Sequence, residues 1–120
     1  MDHKQELNPL LFVYGSLKRG FCHHGELRGA PFERLARTAA GYSLVAVSDY
    51  PVLIPGGSER VSGELYRVSV ALLEELDSFE GPTYRRAVVI LDDASEALAY
   101  LGDARVLAGQ PTIAGGEWRE

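Results

Sequence analysis

The hydrophobic positions of this chain follow two rhythms, and the changes between them mark its elements. Leu10-Leu11-Phe12-Val13-Tyr14 is a continuous apolar run rich in strand formers, broken at once by Gly15-Ser16. It predicts a buried, central strand that opens into a loop. Gly20, Gly25, Gly29 and Pro31 then interrupt the chain so closely that only a short helix, about residues 23–28, fits between them. Short strands follow at 42–47, at 52–54 between two prolines, and at 61–68 after the turn Pro55-Gly56-Gly57-Ser58, a pattern that reads as an antiparallel meander. In the last of them Val61, Gly63 and Leu65 share one face and Ser62, Glu64 and Tyr66 the other, the period of a half-buried strand.

One strong helix is predicted next, with Ser69 placed to cap it and Gly81-Pro82 placed to end it. Leu72, Leu73, Leu76 and Phe79 recur at helical spacing and give it one buried stripe. A long strand at 84–91 carries Tyr84, Arg86, Val88 and Ile90 on one face, and after a turn at Asp92-Asp93 another strand runs over 97–101. The chain has no internal repeat, and its Gly-rich tail holds one candidate anchor, Trp118.

Composition narrows the class. A chain of 120 residues that is 46% hydrophobic can bury one core but not two comfortable ones, so a single domain over 1–120 is expected, with 1–9 as a flexible N-terminal segment. The net charge of −5 offers no footprint for nucleic acid, whose phosphates call for clustered Lys and Arg. No stretch approaches the roughly 20 apolar residues of a membrane-spanning helix, and Met1-Asp2-His3-Lys4-Gln5-Glu6 lacks the apolar core of a signal peptide. The expectation is a cytoplasmic protein with no membrane partner. Cys22 is the one cysteine, which rules out an internal disulfide framework.

Two features carry candidate chemistry. Glu80 lies four residues after Leu76 and seven after Leu73, which places a carboxylate on the stripe that faces the core. An unpaired buried carboxylate costs several kcal/mol. The plainer alternative is that Glu80, last before Gly81-Pro82, has swung out to solvent or pairs with Arg85 or Arg86. If it points inward, burial, the negative end of the helix dipole and Asp77 at i−3 all raise its pKa, as suits a proton shuttle near neutrality. The second feature is the loop Tyr14-Gly15-Ser16-Leu17, which can present backbone N–H groups to a carboxylate or an oxyanion, or can be an ordinary strand-ending turn.

Other chemistries fit less well. Gly15 and Gly20 have the spacing of a phosphate loop, but Phe21-Cys22 stand where Lys and Ser or Thr are needed, and no G-x-S-x-G surrounds Ser16. His23-His24 are adjacent, which suits one metal poorly, and no ligand cluster accompanies them, so no metal and no cofactor are expected. Cys22 reads as a small apolar filler. Tyr14, Tyr42, Tyr50, Tyr66, Tyr84 and Tyr100 can line a pocket or serve as strand residues.

Five blocks in order, Phe12-Val13-Tyr14-Gly15-Ser16-Leu17, Tyr50-Pro51 with Pro55-Gly56, Val61-Ser62-Gly63-Glu64-Leu65-Tyr66, Leu76-Asp77-Ser78-Phe79-Glu80-Gly81-Pro82-Thr83-Tyr84-Arg85-Arg86 and Gly115-Gly116-Glu117-Trp118, resemble the gamma-glutamylcyclotransferase-like, or AIG2-like, family. The resemblance implies a small α+β fold, a mixed sheet curled into a barrel beside one main helix, with the pocket at the glycine loop. It implies Glu80 as the catalytic residue and closure of a γ-glutamyl amine or γ-glutamyl amino acid to 5-oxoproline with release of the free amine. Loop residues Tyr14, Gly15, Ser16 and Leu17 would bind this small-molecule substrate, with Tyr84 and Arg86 positioning it or, equally for Arg86, with its guanidinium pairing structurally with a carboxylate. Two rival readings stand beside it: a non-catalytic module that binds a small carboxylate or amine, and an interaction protein with a vestigial pocket. The substrate's amine and the oligomeric state are not legible.

Overall fold

In a computed structural model, residues 8–107 and 109–119 are described, so residues 1–7 of the expected flexible segment lie outside them. Strand β1, Leu10–Val13, runs between two neighbours, as its unbroken apolar sequence requires. Its sides alternate: Phe12 and Tyr14 enter one core cluster, and Leu11 and Val13 another. The remaining strands are β2 (Phe32–Arg37), β3 (Tyr42–Val47), β4 (Tyr50–Pro55), β5 (Ser62–Arg67), β6 (Arg85–Ile90) and β7 (Glu96–Leu101). The main helix α1 spans Val70–Glu80 and a short helix α2 spans Ala104–Leu107. A 3-10 turn over His24–Leu27 stands where the short helix was expected.

The sheet order is β2-β5-β1-β7-β4-β3, with β6 on β7. β1 lies antiparallel to β5 and parallel to β7, and β7 is also parallel to β4. A bridge between Thr38 and Leu91 joins the end of β2 to the end of β6, so the arc β2-β5-β1-β7-β6 curls closed around Phe12, Val61, Leu65, Val89 and Leu91. α1 covers the outside of this arc through Leu72, Leu73 and Leu76, which meet Leu11, Val13 and Tyr66. This is the α+β half-barrel beside one helix that the resemblance implied.

Three expectations need correction. The meander holds only for the β3–β4 hairpin, because β5 leaves it to pair with β1 and β2. β5 is buried on both faces, not one: Leu65 faces the barrel interior and Tyr66 the helix, so its alternation separates two cores and not core from water. Phe79 is 39% exposed and sits off the buried stripe, with its ring against the edge of His23 at 5.2 Å between centroids. Strand β2 was not expected at all. It is an edge strand with Ala36 as its one buried residue and a bulge between Phe32 and Arg34, so it carries no alternating signature.

Candidate active site

The site forms where β7 exchanges one parallel neighbour for another. β1 meets β7 at Leu98, and β4 meets it at Leu101. Beyond Val13 the chain departs from the sheet, and a slot of about 40 Å³ opens between the exit of β1, the start of β4 and the end of α1. Tyr14, Gly15, Ser16, Leu17, Glu80 and Tyr84 all line it. Six of the seven expected site residues, 70 positions apart at the extremes of Tyr14 and Tyr84, are thus brought together.

Tyr14 closes the floor. Its hydroxyl donates to the Tyr100 carbonyl and accepts the Leu53 N–H at 3.1 Å, which stitches β7 to β4 at the branch point. Burial, the first cause, holds its pKa well above the phenol range, so it acts as a neutral hydrogen-bonding group. Across the slot Tyr84 donates from its hydroxyl to the Pro51 carbonyl at 2.8 Å, and burial raises its pKa too, with the Glu80 charge adding to the effect.

The loop's carbonyls are turned inward to the protein. Gly15 accepts from the Lys18 N–H at 3.0 Å, Ser16 from the His23 N–H at 3.0 Å and Leu17 from His24 Nδ1 at 2.8 Å. In a trans peptide each N–H points opposite to the preceding carbonyl, so the N–H groups of Ser16 and Leu17 face away from these internal bonds. Among the described residues, the N–H groups of Gly15, Ser16 and Leu17 donate to no backbone acceptor. Gly15 is required by contact: a β-carbon there would lie 2.9 Å from Pro51 Cγ. The Ser16 hydroxyl is held by His23 Nδ1 at 2.9 Å, and the same imidazole rests on Phe79, the residue before Glu80.

Glu80 ends α1 beneath this loop. Ser69 accepts the Leu72 N–H at 3.1 Å to start the helix, and Gly81, with φ of 74°, ends it. The carboxylate is half-buried on the side of Leu76 and Leu73, and among the described residues it makes no ion pair. Burial pushes its pKa up to about 7 from the ordinary 4.5. Asp77, expected to add to that shift, is instead engaged by the Tyr100 hydroxyl at 2.7 Å and by Arg86 at 3.5 Å. Arg86, in that ion pair, is not among the residues that line the slot.

The slot also contains Tyr50 and Tyr100, two of the six tyrosines that could line a pocket or serve as strand residues, and Pro51. Tyr50-Pro51 is legible as one of the ordered blocks. Tyr100, next to the end of β7, carries no local signal that separates it from the other strand tyrosines.

Residues 11–120 match the profile of the family described as gamma-glutamyl cyclotransferase, AIG2-like. The chain is similar to gamma-glutamylaminecyclotransferase C of Danio rerio, 43% identical over 79 residues, which are 58% of this chain and 52% of that one. It is also similar to human gamma-glutamylaminecyclotransferase, 37% identical over 91 residues, covering 67% of this chain and 60% of its relative. The chain therefore spans about half the length of the curated relatives it matches. Among solved structures, an AIG2-like protein of Mus musculus superposes with a TM-score of 0.79 at 26% identity, over 93% of this chain and 88% of that one.

Proposed function

The chain belongs to the gamma-glutamyl cyclotransferase, AIG2-like family, and from that premise we propose that it closes the γ-glutamyl group of a γ-glutamyl amine or γ-glutamyl amino acid to 5-oxoproline and releases the free amine. The observation that carries the reading is Glu80, a half-buried carboxylate with no ion pair among the described residues, which shares the slot with a loop whose N–H groups donate to no backbone acceptor among them.

The chemistry needs no nucleophile from the protein. The substrate's own α-amine attacks its γ-carbonyl carbon, forming the ring C–N bond, and the bond from that carbon to the amide nitrogen then breaks. Attack within one molecule has a high effective concentration once the chain is held folded. What remains is proton traffic: one proton leaves the attacking nitrogen and one reaches the departing nitrogen. Glu80, with a pKa of about 7, is matched to both tasks near neutral pH. The N–H groups of Gly15, Ser16 and Leu17 would hold the oxyanion or the substrate's α-carboxylate. Tyr84, fixed to Pro51, would position the glutamyl chain as a rigid wall.

The test is a panel of γ-glutamyl amines and γ-glutamyl amino acids assayed for 5-oxoproline, with Glu80→Gln alongside. Turnover that disappears in the variant supports the reading. Saturable binding by calorimetry without 5-oxoproline would assign a binding module instead.

A further inference from the structure

A second cleft of about 460 Å³ adjoins the slot, and Tyr84 lines both. Tyr84 stands between them, and with Pro82, Thr83 and Arg85, directly after Glu80 and Gly81 in the chain, it lines the larger cleft. Across it stand Asp103 and Arg105 at the start of α2. Two guanidiniums face one carboxylate there, in a chain whose net charge is −5. Arg105 is committed to Asp103 at 3.2 Å and its hydrogen bonds hold the Asp103 pKa down, with the Arg85 charge adding a smaller effect, whereas Arg85 makes no ion pair among the described residues.

Size and chemistry connect the two spaces. The slot, at about 40 Å³, has room for a few waters' worth of ligand, since one water occupies roughly 10–15 Å³ on this measure. It can take the reacting end of a γ-glutamyl compound but not the whole of it. The departing nitrogen must reach Glu80 to receive its proton, and the segment that follows Glu80 lines the larger cleft, so that cleft offers room to the group the nitrogen carries.

We infer that this cleft is the subsite for the leaving amine, and that Arg85, supported by Arg105, selects leaving groups that carry a carboxylate. The inference rests on the cyclotransferase reading and adds a substrate class to it. A carboxylate on the leaving group would meet Arg85, which makes no ion pair among the described residues, and Asp103 would tune the strength of that contact.

The experiment uses two matched pairs that differ by a carboxylate: γ-glutamylalanine against γ-glutamylethylamine, and γ-glutamyl-4-aminobutyrate against γ-glutamylpropylamine. Kcat/KM for 5-oxoproline release is measured on the full chain. The expected result is at least a tenfold preference for the acid in one pair or both, reduced to within about threefold by Arg85→Gln through KM, with the neutral partner unaffected. Asp103→Asn should sharpen the preference, and added salt should weaken it. Equal turnover of acid and neutral partner in the unmodified protein, or equal losses on both in Arg85→Gln, would overturn the subsite and leave the cyclotransferase reading standing. No 5-oxoproline from any of the four compounds would overturn both.

Discussion

Gly15 and Pro51 approach so closely that a β-carbon on the glycine would sit 2.9 Å from Pro51 Cγ. The contact joins the exit loop of β1 to the start of strand β4 and fixes the width of the slot from one side. Replacing Gly15 with Ala forces the loop or the proline ring to move by several tenths of an ångström. The expected outcome is a loss of at least tenfold in kcat/KM, with a stability cost of about 1–3 kcal/mol as for other over-packed sites. Steady-state kinetics and thermal unfolding on the same preparation check it.

Glu80→Gln removes the proposed proton carrier and should lower 5-oxoproline formation by about 10²- to 10⁴-fold, the usual worth of a positioned acid or base. Far-UV circular dichroism should be unchanged, because Gln keeps the shape of the side chain. Activity of the unmodified protein should rise with pH through about 7 as Glu80 becomes the base.

The same residue makes stability depend on pH with a definite sign. The Glu80 carboxyl keeps its proton to about 7 when folded, against 4.5 for the ordinary group. Between those values the unfolded chain has given up a proton that the folded chain retains, so stability falls as pH rises through the window and levels off above it. The gap corresponds to ~3 kcal/mol. Urea unfolding should therefore find Glu80→Gln and the unmodified protein similar below pH 4.5, and the variant more stable above pH 7 by up to that amount. A difference that does not change with pH would mean that Glu80 is solvated.

Tyr14→Phe should act on the fold more than on the chemistry. The hydroxyl supports the Tyr100 carbonyl and the Leu53 N–H inside the protein, and its loss weakens the β4–β7 junction. A destabilisation of about 1–3 kcal/mol is expected from leaving buried partners short of a bond, seen as a lower denaturation midpoint with an unchanged slope.

His23→Ala removes the side chain that holds Ser16 Oγ at 2.9 Å and rests on Phe79. His23 is exposed, so thermal stability should stay within about 0.5 kcal/mol. Kcat/KM should fall severalfold, and His23→Asn, which keeps a hydrogen-bonding group, should recover part of it.

The parts of the fold that were legible are those whose local pattern answers to their burial. β1 is an unbroken apolar run because both its faces are covered, and α1 carries its cap, its stop and its leucine stripe in its own letters. β2 was illegible because an edge strand with one buried residue has nothing to alternate. The two faces of β5 were assigned to the right residues but the wrong surroundings, since Tyr66 packs under a helix that the strand's own sequence does not mention. Glu80 was legible as an acid in an apolar register, whereas the engagement of Asp77 and Arg86 with each other was not, because it depends on how β6 starts.

By itself, then, the chain's sequence determined which segments form strands and helix where burial is one-sided or complete, and it marked the acid and the glycine loop by their conflict with their surroundings. Only the tertiary structure decided that β7 passes from β1 to β4 just where Tyr14 leaves the sheet, which opens the slot and draws Tyr50, Pro51 and Tyr100 into it. Local sequence registers how a residue meets its near neighbours. The closing of the arc at Thr38 and Leu91, and the position of Glu80 across from Gly15, arise from pairings between distant segments that no short stretch of the chain encodes.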